Sequence, residues 1–71
     1  MDPYQNLANA IVLQAARDYR SALQRLRKNP HNREAMEEKE SLLRFFHSRW
    51  FTCLTDVNPE YLIERLDKEV Q

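Results

Sequence analysis

The chain has no glycine. Glycine is the residue a backbone uses wherever φ must be positive. Its absence removes the phosphate-cradling loops, dinucleotide-binding turns and nucleophile elbows that are built on it. Punctuation falls instead to Pro3, Pro30 and Pro59, each preceded by Asp or Asn. Proline suits the first turn of a helix, where its missing N–H goes unused, and Asp and Asn are favoured caps.

These signals predict an all-α fold: a long antiparallel hairpin of two helices and a short C-terminal third helix, with dimerisation into a bundle as a further option. Helix 1 is expected at about 3–28. Asp2 caps it, and Gln5 stands at the spacing of a capping box. Tyr4, Ala8, Ile11, Val12, Ala15, Tyr19, Ala22, Leu23 and Leu26 share one face at the three-and-four spacing of an amphipathic helix. Pro30 disfavours helical geometry at Asn29, so Asn29 to Asn32 is a tight connection. Helix 2 is expected at about 33–54. Glu34, Glu37 and Glu38 complement its dipole, and a stripe of Ala35, Met36, Lys39, Leu42, Leu43, Phe46, Trp50, Cys53 and Leu54 faces inward. Two helices of such similar length can pair along most of it. Asn58 then caps helix 3, at about 59–69, with a Val57 to Leu62 staple and Leu62, Ile63, Leu66 and Val70 inward. No segment alternates with period two, so no sheet is expected.

One domain of 71 residues buries only about 60% of the surface its unfolded chain exposes. A core of this size rarely supplies more than about 3–5 kcal/mol. Cys53 is the single cysteine, which rules out an internal disulfide and suits a reducing compartment. Nothing near the first residues resembles a signal peptide. The longest uncharged run, Pro3 to Ala16, carries Gln5, Asn6, Asn9 and Gln14 and is a poor membrane span. The reading is a soluble protein of the cytoplasm. Acids and bases number 11 each, so no net charge steers the chain toward nucleic acid or membrane.

The most informative surplus is aromatic. Phe46 and Trp50 fall on the core stripe of helix 2, whereas at 100° per residue Phe45 lies to one side and Phe51 on nearly the opposite side. A third helix folding back can cover one flank and is too short for both. The uncovered rings then form an interaction surface. Phe45, Trp50, Phe51 and His47 are therefore the candidate protein-binding residues, for a partner or for a second copy in a homodimer. A second signal is the basic stripe of Arg17, Arg20, Arg27 and Lys28 on the outer face of helix 1, a footprint that a phosphate backbone or an acidic partner could use. Nearby Glu34, Glu37, Glu38 and Glu40 can neutralise part of it. No recognition-helix motif accompanies the charge.

Catalysis is not expected. His47 and Cys53 stand at the wrong angular spacing to share a helix face, and no spacing fits a metal site. His31 sits in the connection, the tyrosines read as packed rings, and no pair of carboxylates stands out as acid and base. No cofactor or metal is implied.

The segment Lys28-Asn29-Pro30-His31-Asn32-Arg33-Glu34-Ala35 looks like the helix-to-helix joint of tetratricopeptide repeats; a single copy makes this an analogy of turn chemistry. A broader resemblance runs through Asp18-Tyr19-Arg20-Ser21-Ala22-Leu23, Asn29-Pro30, Phe45-Phe46-His47-Ser48-Arg49-Trp50-Phe51, Leu54-Thr55-Asp56-Val57 and Tyr61-Leu62-Ile63. In that order these resemble short proteins encoded by phages and prophages of Gram-positive bacteria. The resemblance implies a protein acting in the bacterial host cytoplasm by occupying a partner's surface, such as an inhibitor of a CRISPR nuclease or other defence system. The alternatives are a nucleic-acid-binding regulator using the basic stripe and a small phage assembly subunit. Zero net charge argues against wholesale nucleic-acid mimicry.

Overall fold

A computed structural model describes the backbone of residues 3–70 and the side chains of residues 6–70. The expected Asp2–Gln5 capping box and the core position of Tyr4 lie outside the described residues. The chain is all-α, with α1 Pro3–Lys28, α2 Arg33–Phe46, α3 Arg49–Leu54 and α4 Pro59–Val70, and no strand among the described residues.

Turning without glycine is managed by carboxamides. No described residue has positive φ. In the first connection the Asn29 side chain accepts the His31 N–H at 3.1 Å. Asn32, in extended geometry, accepts the Ala35 N–H at 3.1 Å and so caps α2. Asn58 does the same for α4, accepting the N–H groups of Glu60 at 2.8 Å and Tyr61 at 3.3 Å.

The long second helix expected at 33–54 does not form; it is broken at His47-Ser48. The His47 N–H still bonds to the Leu43 carbonyl at 3.1 Å, but Ser48 swings to ψ 162°. Its hydroxyl donates to the Phe45 carbonyl at 2.6 Å and accepts the Phe51 N–H at 3.4 Å. Serine competes with the helical ladder in this way, closing one helix while capping the next. The pairing of two equally long helices fails with it. The 26 residues of α1 run about 39 Å, against about 21 Å for the 14 residues of α2. The long axis of the molecule, 42 Å, is essentially α1 alone.

The other three helices all pack on α1. α2 is antiparallel to it, with Phe46 at Tyr19 and Glu38 at Arg25. α4 returns parallel, with Asp67 at Tyr19 and Val70 at Arg27. Ala22 and Ala35 are fully buried near the first connection, where small side chains let helices approach closely. The core proper consists of Ala15, Ala16, Tyr19, Phe46, Phe51 and Leu66. Phe45, Leu42, Leu43, Leu62, Ile63, Val12 and Leu23 pack around it.

Candidate protein-binding surface

The break in helix 2 exchanges the fates of two adjacent rings. Phe51, expected outside, is fully buried, and Trp50, expected on the core stripe, is 73% exposed. Phe51 stands nearly perpendicular to Phe46 at 5.5 Å and to Phe45 at 5.9 Å. Tyr19 meets Phe46 edge-on at 5.7 Å. Each such edge-to-face pair adds about 0.5–1.5 kcal/mol beyond area burial. The aromatic surplus is thus mostly absorbed inside the fold. Phe51 is corrected from binding residue to core anchor, and Phe45 from free flank to half-buried packing. Cys53, expected inward, is an exposed free thiol. Contact with a partner or a second copy through Phe51 is closed off by this burial.

What remains outside is Trp50, with His47 beside the break. His47 is exposed, and its Nδ1 lies 2.9 Å from the Leu43 carbonyl oxygen, so the ring helps close α2. The six-residue α3 is pinned by the Ser48 cap at its start and by Phe51 beneath. Trp50 is therefore held on a short, anchored element. An open hollow of about 480 Å³ lies between α2 and α4, lined by Leu43, His47, Ile63, Glu64 and Asp67 among others.

The basic stripe is partly spent within the fold. Arg20 donates from Nε to Glu69 at 2.7 Å. Arg27 donates to the Val70 carbonyl at 2.8 Å, satisfying an acceptor in the last turn of α4 that has no helical partner. The acid that pairs with the stripe, Glu69, comes from α4 and not, as expected, from the start of α2; there Glu38 pairs with Arg25, which lies off the stripe. Arg17 and Lys28 stay exposed. Arg27 is exposed as well and keeps its charge, because the carbonyl it reaches is neutral; three cations remain a small footprint for a phosphate backbone, whose affinity grows with the number of charges neutralised.

Buried Tyr19 donates its hydroxyl to Asp67 at 2.9 Å, joining α1 to α4. Burial, then the hydrogen bond to Asp67 and its negative charge, hold the phenol far above tyrosine's ordinary range. It therefore acts as a fixed hydrogen-bond donor. No group of three or more His, Cys, Asp or Glu side chains converges as a metal site among the described residues. No helix of the described residues is long and apolar enough to cross a membrane.

Sequence reasoning missed Leu7 and Leu13. Both are largely exposed, at 60% and 57%, with Ile11 at 39% nearby. Their signal is the uncharged run from Pro3 to Ala16, too polar for a membrane span and yet richer in apolar residues than one core-facing stripe requires. Comparison with known proteins finds no matching family model, no similar curated protein and no similar solved structure.

Proposed function

We propose that this chain is a non-enzymatic protein-binding module that presents Trp50, with His47 at its edge, to a partner protein. The observation that carries this reading is the 73% exposed indole next to a ring that is wholly buried. Tryptophan is enriched among the residues that dominate binding energy. Holding it on an element fixed by Ser48 and Phe51 lowers the ordering cost of association. The partner of first choice is a bacterial protein, and the most concrete version is a phage-encoded inhibitor of a defence nuclease. That finer reading is supported by the resemblance of Phe45-Phe46-His47-Ser48-Arg49-Trp50-Phe51 and its companion segments to short phage proteins.

Two experiments test the reading at its two levels. Affinity purification from a bacterial lysate, with wild type and Trp50→Ala side by side, is expected to yield a discrete protein that the variant loses; equal recovery by both would overturn the Trp50 surface. As the chain's single tryptophan, Trp50 also reports directly, since a docked indole shifts its emission to the blue. Phage-restriction assays in hosts carrying defined CRISPR nucleases, with and without the expressed chain, are expected to show relief of restriction. Unchanged restriction in every host would remove the inhibitor reading and leave the binding module standing.

A further inference from the structure

The first half of α1 is a helix with apolar residues all round it. Ala8, Val12 and Ala15 face the core; at 100° per residue Leu7, Ala10 and Leu13 fall on the opposite side, centred on Ala10. Leu7, Ala10 and Leu13 are all exposed. Asn6 and Gln14 lie on the same outer face between these side chains, and no helix of the chain covers it, since α2 lies beside the other half of α1, with Phe46 at Tyr19 and Glu38 at Arg25.

We propose that this outer face, from Asn6 to Gln14, is the interface of a two-fold homodimer in which two α1 helices pack antiparallel across Ala10. A second copy is the occupant because of what the segment lacks. A two-fold contact sets a surface against itself, so any charge near the axis meets its own like. From Pro3 to Ala16 the chain has no side chain that is charged at neutral pH, although 31% of its residues are charged. Apart from the hydroxyl of Tyr4, the polar side chains of the run are carboxamides, Gln5, Asn6, Asn9 and Gln14, and of these Gln14 donates to Asp18 at 2.9 Å within the chain. A carboxamide carries both donor and acceptor and can therefore pair with its own kind. Ala10 at the centre allows close approach of the two backbones. Orientation follows from the first charge beyond the run. Arg17 continues the outer face, and a parallel dimer would set it against the partner's Arg17, whereas antiparallel packing about Ala10 places it beside the uncharged start of the partner helix. This surface is separate from Trp50 and survives or fails independently of it.

Sedimentation equilibrium of the whole chain provides the test. The mass is expected to rise from 8.6 kDa toward twice that value over roughly 10 µM to 1 mM, the regime of a small interface. A chain carrying both Leu7→Arg and Leu13→Arg is expected to stay monomeric throughout while keeping the helical circular dichroism of wild type. Wild-type association is expected to persist undiminished between about 50 mM and 1 M salt, where contacts between exposed charges are screened. Oxidised Ala10→Cys in a Cys53→Ser background is expected to form a disulfide-linked dimer, and Asn6→Cys in the same background is not. A wild-type chain monomeric at 1 mM, association lost at high salt, association retained by the double arginine variant, or cross-linking through position 6 would each overturn the proposal.

Discussion

The two halves of α1 belong to one unbroken helix and live in different surroundings. From Ala15 to Lys28 the helix is clasped. Ala15, Ala16, Tyr19 and Ala22 are buried, and Arg20, Arg25 and Arg27 reach acids or a carbonyl on α2 and α4. From Asn6 to Gln14 only one face is used, and Leu7 and Leu13 point away from the core. The difference teaches that the inner half holds the fold together, while the outer half has apolar surface to spare. Buried and exposed apolar side chains thus share one helix, about two turns apart.

The contrast can be broken most severely from the core that clasps the inner half. Phe51→Ala empties the ring stack against Phe46 and Phe45 and is expected to cost about 3–5 kcal/mol, enough to unfold much of so small a domain. Trp50→Ala, one residue away, is expected to stay within about 0.5 kcal/mol. Urea titrations of the two variants check the difference, and equal losses would mean that the break at Ser48 does not direct the rings as described.

Overpacking comes next. Ala22→Leu inserts bulk where the helix is wholly covered and is expected to cost about 1–3 kcal/mol. Ala10→Leu, on the open half, is expected to shift the unfolding midpoint of the monomer hardly at all, which thermal melts at low micromolar concentration would measure.

A smaller effect is predicted at the link between α1 and α4. Tyr19→Phe removes the bond to Asp67 and leaves that carboxylate short of a donor, for a loss of about 1–2 kcal/mol at neutral pH. The pH dependence has a definite sign. The folded state holds the Tyr19 proton more tightly than the unfolded chain does, so this contribution is fully present below about pH 10 and falls as pH rises beyond it. Denaturation followed from pH 8 to 11 is expected to show a steeper alkaline decline for wild type than for Tyr19→Phe. Parallel curves would show that Tyr19 is not the group responsible. The smallest expected change is for Leu7→Gln and Leu13→Gln in the dilute monomer, within about 0.5 kcal/mol each. A larger loss would mean that these side chains pack within the fold.

Much of the fold was legible without coordinates, and the reason is distance along the chain. The caps at Asn32 and Asn58 act on N–H groups two or three residues away, so residue type and spacing are sufficient to read them. The candidate site was less legible. Phe45, Phe46, Trp50 and Phe51 offer two different inward faces, one for a continuous helix and one for a helix restarted at Ser48. Both are locally acceptable, because a serine can ride in a helix or cap the next one. The basic stripe was equally ambiguous, since the acid that engages Arg20 is Glu69, at the far end of the chain.

By itself the order of residues determined that this protein is helical, where α1, α2 and α4 begin, and that the first half of α1 is free of charge. Those outcomes depend on hydrogen bonds and side-chain spacings that close within one helical turn. Tertiary structure alone decided which of two adjacent rings is buried and which arginines remain open. Both choices are made by groups brought from distant parts of the chain, Tyr19 against Phe46 and α4 against α1, whose packing free energy outweighs a local backbone preference of about 1 kcal/mol.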